Sequence, residues 1–97
     1  MLNSKQRAFL RGKANTIESI LQVGKGGIND AMIQQAIDAL EARELIKGNV
    51  LQNSETDAKT IAYSLAEKIS AEVVQVIGKR FVLYKESTKN KQIVLPQ

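Results

Sequence analysis

The sequence predicts a small α/β sandwich in which three helices cover a mixed sheet of about four strands, in the order α-β-α-β-α-β-β. Three observations predict it. Apolar stripes at helical spacing alternate along the chain with short runs rich in β-branched residues. The last two runs are separated only by Gly78-Lys79, which suits a tight hairpin with glycine at its first central position. The only proline is Pro96, so proline interrupts none of these elements. Helix–strand alternation that ends in a hairpin implies a mixed sheet covered by helices.

The elements follow in order. Asn3-Ser4 can cap a first helix over about Lys5 to Lys13. Arg7 and Arg11 are four apart and share a face, and Phe9, nearly opposite, is the expected core anchor. Thr16 to Val23 reads as a strand that ends at Gly24, although its alternation is imperfect. Ile28, Met32, Ile33, Ala36, Ile37 and Leu40 make one apolar stripe on a helix from Asn29, its N-cap, to Arg43. Asp30, Gln34, Asp38, Glu41 and Glu44 form the opposite, acidic face. Leu45 to Leu51 is the second strand. Ser54 to Asp57 resembles a capping box with Asp in the place of Glu or Gln. Behind it Ala58, Ile61, Ala62, Leu65, Ala66 and Ile69 repeat the apolar stripe on a third helix. Val73 to Ile77 and Phe81 to Tyr84 are the hairpin strands. Residues 86–92 are polar and expected to be mobile, and Ile93-Val94-Leu95 can dock back on the sheet.

Composition narrows the function. The 97 residues fit one domain spanning 1–97. With 43% hydrophobic and 25% charged residues, the chain is ordinary for a soluble protein. No apolar run approaches the roughly 20 residues that span a bilayer, and Met1 to Lys13 lacks the apolar centre of a signal peptide. No membrane association and a cytoplasmic location are therefore expected. Without cysteine there are no disulfides or thiolate metal sites. Without histidine the usual general base and the commonest zinc ligand are missing. We expect no catalytic residue, no cofactor and no bound metal.

Charge is unevenly spread. Met1–Gly27 carries five bases and one acid, Ile28–Glu72 four bases and eight acids, and Val73–Gln97 five bases and one acid. Two basic ends flank an acidic middle. If folding joins the ends, they form a positive face that attracts polyanions; otherwise the charges are a scattered, solvated surface.

The loop Val23-Gly24-Lys25-Gly26-Gly27-Ile28 joins a strand to a helix. Three glycines in four residues permit close approach and positive φ. The N–H groups of Gly26, Gly27 and the first helical turn can then face an anion, aided by the helix dipole and by Lys25. The P-loop pattern is absent and the dinucleotide pattern incomplete, because Asn29 stands in the third glycine's place and the small residue Ala31 comes two residues late. Gly24-x-x-Gly27 does fit the short loop that clamps an RNA backbone, although a tight turn alone would use the same residues.

Only Phe9, Tyr63, Phe81 and Tyr84 are aromatic. That is too few for a base-stacking sheet, and Phe9 and Phe81 read as core. Lys79 and Arg80, at the hairpin turn, read either as turn solubility or as a second phosphate contact. Asp38, Glu41 and Glu44, spaced by three, have the donors for a hard cation, but a solvated helix face explains them better.

Taken together, these segments resemble the CRM domain, and more closely its stand-alone bacterial version, the YhbY-like RNA-binding proteins. The resemblance rests on Lys5-Gln6-Arg7 through Leu10-Arg11-Gly12, on Val23 to Gly27, on Ala39-Leu40-Glu41 through Glu44 to Lys47, and on Val74 to Lys79 with Phe81 to Tyr84. It implies a fold similar to the C-terminal domain of translation initiation factor three. It also implies RNA binding without catalysis, and association with precursors of the large ribosomal subunit. Two departures stand out. Asn15 replaces a frequent histidine, and Gly48-Asn49 replaces a valine–lysine pair, softening that strand and removing a basic contact.

The leading expectation is a ribosome assembly factor that binds ribosomal RNA as a monomer. Gly24, Lys25, Gly26 and Gly27 would hold phosphates, and Lys5, Arg7, Arg11, Lys13, Lys79, Arg80 and Lys85 would extend the track. One rival is a protein-interaction module whose acidic second helix docks a ribosomal protein. Another is a nucleotide-dependent enzyme, disfavoured by the missing phosphate motifs and histidine.

Overall fold

A computed structural model describes residues 2–97. Its elements are α1 (Ser4–Ala14), β1 (Ser19–Val23), α2 (Asp30–Arg43), β2 (Leu45–Val50), α3 (Ala58–Ile69), β3 (Glu72–Ile77) and β4 (Arg80–Tyr84). This is the expected order. The strands lie in the order β1-β2-β4-β3, with β1 parallel to β2 and the other pairs antiparallel. The sheet is therefore mixed, with β1 and β3 at its edges.

Helix ends follow side-chain chemistry. Asn3 caps α1 in a reciprocal box: its side chain accepts the Gln6 N–H at 2.8 Å, and the Gln6 side chain accepts the Asn3 N–H at 3.1 Å. Thr16, expected inside β1, instead turns the chain out of α1. Its N–H and hydroxyl both donate to the Lys13 carbonyl, and β1 begins only at Ser19. Asn29 caps α2 as expected, accepting the Met32 N–H at 2.8 Å. The expected cap of α3 shifts by three residues. Asp57 itself is the N-cap, accepting the Thr60 N–H at 2.8 Å, while the Ser54 hydroxyl is held by the Thr56 backbone.

The sheet separates two cores. On one face α2 and α3 pack against Leu21, Val23, Ile46, Phe81 and Leu83. All six residues of the α3 stripe are buried. In α2, Met32, Ala36 and Leu40 are buried, but Ile37 faces outward and is 39% exposed. On the other face α1 and the C-terminal segment enclose Leu45, Val74, Val82 and Tyr84. Ile93 joins this second core with Leu95 packed against it, so the expected docking of 93–95 is met by these two residues while Val94 points out.

The expectation that Phe9 anchors α1 fails. Leu10, one residue on and about 100° around the helix, is fully buried with Ala14, whereas Phe9 is 37% exposed. The Lys13 ammonium sits 5.2 Å from the Phe9 ring centroid, a cation–π distance. A polar helix with one apolar residue on each of two adjacent faces gives periodicity little to decide with.

The acidic face of α2 is not a solvated stripe either. Glu44 is fully buried and ends α2 in the left-handed region, at φ 66°. Its carboxylate accepts the N–H groups of Ser87 at 2.8 Å, Gln92 at 2.6 Å and Ile93 at 2.7 Å. One turn earlier, the Glu41 carboxylate accepts the N–H groups of Thr88 and Lys89 and the hydroxyl of Thr88. Residues 86–92, expected to be mobile, are thus pinned to the end of α2. A buried carboxylate is tolerated because its lone pairs are filled. Burial pushes the Glu44 carboxyl up, but the three backbone donors and the nearby Lys91 charge bring it below the usual value of 4.5.

Gly48 has a positive role that the sequence alone did not suggest. It lies opposite Phe81 in the β2–β4 ladder, and a Cβ there would meet the ring at Cζ and at both Cε atoms, at 2.7 Å or less. The glycine lets a fully buried ring cross the strand. Gly78 takes φ 57° at the hairpin turn, while Lys79 does not adopt positive φ, as a type II′ turn requires.

Two outcomes follow from this packing. Gly48→Ala lowers unfolding free energy in urea by about 1–3 kcal/mol through overpacking, and pairing it with Phe81→Leu restores part of the loss. Glu44→Ala leaves buried N–H groups without an acceptor, a loss of about 2 kcal/mol. Because the folded carboxyl is depressed, its stabilisation is complete above the unfolded value and is lost as pH falls through the folded one. Glu44→Gln therefore flattens the acid side of a thermal-unfolding profile taken across pH 2 to 6, roughly the carboxylate range.

Candidate nucleic-acid interface

The strand directions gather one set of loops at one end of the sheet. β1 and β2 both end there, and the β3–β4 hairpin turns there. The Leu51 N–H donates to the Val23 carbonyl at 2.8 Å, and the Val50 N–H donates to the Lys79 carbonyl at 2.7 Å. The glycine loop after Val23 and the hairpin at Lys79 therefore flank the end of β2. They stand two strand spacings apart, about 10 Å.

The loop is a turn with an open tip. The Gly27 N–H donates to the Gly24 carbonyl at 3.0 Å, and Gly27 adopts φ 65°. This corrects the expected donor set: the Gly27 amide closes the turn, and the Met32 amide belongs to the Asn29 cap. Asp30 also places a carboxylate in the first turn of α2, so the helix end is partly self-neutralised. Among the described residues neither the Lys25 nor the Gly26 N–H has a partner. Lys25 is exposed, and no atom outside the loop approaches the Cα face of Gly26.

The other predicted cations divide by position. Lys79 and Arg80 are exposed at the hairpin, on the loop end. Arg7 and Arg11 share the flank of α1 turned away from the C-terminal segment, and the Arg7 guanidinium hydrogen-bonds the Val73 carbonyl on edge strand β3. Lys5 lies on the opposite flank, donating to the Gln97 carbonyl at 3.2 Å, and Lys13 lies there too, over Phe9. Lys85 sits at the far end of β4, donating at 3.0 Å to the Ile69 carbonyl at the end of α3. The fold thus brings Gly24–Gly27, Lys79 and Arg80 together, keeps Arg7 and Arg11 on α1, with Arg7 at the start of β3 away from the hairpin, and sends Lys5, Lys13 and Lys85 elsewhere.

Sequence reading missed Lys47. In β2, Leu45, Lys47 and Asn49 face the α1 side, while Ile46 and Val50 enter the core of α2 and α3. Lys47 lines an open pocket of about 310 Å³ with Gln22, Asn49, Arg80, Glu18 and Ser19. Two-residue alternation along β2 groups Lys47 with Leu45 and Asn49, but only the packed sheet shows which face they take.

Comparison with known proteins agrees with this fold. The profile of the CRS1 / YhbY (CRM) domain matches residues 2–85. The chain is 56% identical over 96 residues to probable RNA-binding protein YqeI of Bacillus subtilis, covering 99% of this chain and all of YqeI. It is 31% identical over 96 residues to an RNA-binding protein of Haemophilus influenzae, covering 96% of that protein. Its fold is similar to the solution structure of the hypothetical protein SAV1595 from Staphylococcus aureus, with a TM-score of 0.82 and 53% identity over 99% of this chain and all of that one. The chain belongs to the CRM domain family.

The division of cations predicts opposite phenotypes. Lys85→Ala removes the cap on α3 and lowers the thermal midpoint. Lys79→Ala, at an exposed turn, changes stability by less than about 0.5 kcal/mol.

Proposed function

We propose that this member of the CRM domain family binds RNA, and that it acts in the cytoplasm, as a monomer, on ribosomal RNA in precursors of the large subunit. The observation that carries the reading is the loop end of the sheet, where an open glycine turn and the cations Lys25, Lys47, Lys79 and Arg80 converge. The RNA-binding names of YqeI and of the Haemophilus relative support it.

The chemistry is electrostatic and geometric. Lys25 and the unpartnered amides of Lys25 and Gly26 meet one phosphate at the loop tip. Lys79 and Arg80 meet another across the end of β2, and Arg11 on α1 widens the track. The separation of loop and hairpin, about two strand spacings, is of the order of one or two phosphate repeats along an RNA strand. Side chains at this end offer no base-stacking aromatic, so phosphate contacts dominate and affinity depends on salt. The role needs no catalytic group. A reading in which α2 docks a ribosomal protein has little charge to work with, because Glu41 and Glu44 already hold the C-terminal segment and Asp38 accepts from Gln34.

Binding of a structured ribosomal RNA fragment across a salt series tests this. We expect log K to fall with log salt with a slope of about −2, as three phosphates on a single-stranded segment, at the loop tip, the hairpin and Arg11, require. The double variant Lys25→Asp/Gly26→Asp, folded because the loop tip is open, loses at least about tenfold in affinity and lowers the slope. Equal binding by this variant would reduce the glycine loop to a turn.

A further inference from the structure

The last row of the sheet before the loop end carries one side chain from each strand. Gln22 on β1 is paired with Asn49 on β2, Asn49 with Arg80 on β4, and Arg80 with Ile77 on β3. All four lie on the α1 side, because their neighbours Leu21, Val23, Val50, Phe81 and Val76 pack on the other face. Yet α1 and the C-terminal segment cover only the opposite half of that side, around Leu45 and Tyr84. Gln22, Arg80 and Ile77 are exposed and Asn49 half-buried.

Two amides stand side by side here. The Asn49 side-chain amide donates to the Gln22 side-chain oxygen at 3.3 Å. A head-to-tail amide pair keeps one free donor and one free acceptor at its rim, whichever way it is oriented. That adjacent donor and acceptor match the hydrogen-bonding edge of a nucleobase, which a duplex hides within its base pairs. Lys47 and Arg80 border the pair, and the pocket they share is about 310 Å³. Glu18, the one acid in its lining, belongs to the chain entering β1, away from the loop end.

We propose that the Gln22–Asn49 pair is a subsite for an unpaired base, with the attached backbone running along the loop end past Lys79 and Arg80 toward Lys25. This rests on the RNA-binding reading above and adds to it a preference for single-stranded over paired nucleotides. The base lies back over the open half of the sheet, its edge on the two amides, and Ile77 offers apolar contact to a neighbour. Phosphates stay at the cationic rim, away from Glu18. Gln22 and Asn49 supply discrimination, whereas Lys25, Lys79 and Arg80 supply the salt-dependent part of the affinity.

The test compares an unpaired RNA oligonucleotide with a duplex of the same sequence, by fluorescence anisotropy across a salt series. The proteins are wild type, Gln22→Ala/Asn49→Ala, and Lys25→Asp/Gly26→Asp. Wild type should prefer the unpaired strand. The amide variant should lose about tenfold on that strand, with duplex affinity and salt slope unchanged. The loop variant should lose affinity for both. If the thermal midpoint of the amide variant drops, Gln22→Met at the exposed position substitutes for it, removing the amide while keeping the size and adding no charge. Undiminished binding of the unpaired strand by the amide variant, with the loop variant still weakened, would overturn the subsite alone. An equal loss on strand and duplex would do the same. Failure of wild type to bind either RNA would overturn both this subsite and the RNA-binding reading.

Discussion

The buried Glu44 carboxylate fixes more of this molecule than any other single group. It ends α2 with a left-handed residue, so that β2 starts at once with Leu45. The Glu44 carbonyl accepts the Lys85 N–H at 3.0 Å, tying the exit of β4 to the same point. Its side chain then collects three N–H groups from residues 87–93. Hydrogen bonds to an ionised acceptor are the strong ones, and here they convert a polar tail into a third layer element. Among the described residues no buried side-chain nitrogen or oxygen lacks a partner, so the carboxylate is compensated rather than strained.

That anchor also gives the sheet two unlike ends. Near Glu44, the tail and α1 close over Leu45, Val74, Val82 and Tyr84, with Ile93 inserted between them. At the other end none of the described residues covers the last row of side chains on the α1 side, and the glycine loop and hairpin lie beyond it. Parallel pairing of β1 with β2 and antiparallel pairing of β2 with β4 place these two turns on the same edge of the fold. Cations from distant parts of the sequence, Lys25 and Arg80, become neighbours through backbone pairing alone. The carboxylates Glu41 and Glu44 are meanwhile drawn to the closed end, while the open end carries Lys25, Lys79 and Arg80 together with Asp30 after the glycine loop and Glu55 and Asp57 beside the hairpin. The contrast between a sealed end, anchored on buried carboxylates, and an open end that presents the glycine loop and the hairpin cations follows from the placement of side chains by the sheet.

Most of the fold was legible because it is periodic. The α3 stripe from Ala58 to Ile69 is entirely buried, and Gly78 sits at the hairpin position that demands its conformation. What the sequence concealed was contact between segments far apart in the chain. Glu44 reads as one more acid on a polar helix face until residues 87–93 are brought against it. Gly48 reads as a weak strand residue until Phe81 is placed opposite. Phe9 and Leu10 compete for the core on a helix with too few apolar residues to choose between them, and the larger one lost. In the candidate interface, the loop and hairpin were visible as glycine motifs. Lys47, Gln22 and Asn49 were not, because a single polar residue within a strand reveals its face only when the strand's neighbours are known. Conversely, Lys5, Lys13 and Lys85 counted toward a basic surface by composition but are spent on the tail, on Phe9 and on the end of α3.

The central claim is that RNA lies on the open end of the sheet and not on the flank shared by α1 and the tail. Backbone amide chemical-shift mapping during titration with a single-stranded RNA tests it most directly. The account predicts that the perturbed amides are those of Gln22, Lys25, Gly26, Asn49, Lys79 and Arg80, with Lys5, Lys13, Lys85 and residues 87–93 unmoved. Perturbations centred on Lys5, Phe9, Lys13 and the tail, with the glycine loop silent, would contradict it.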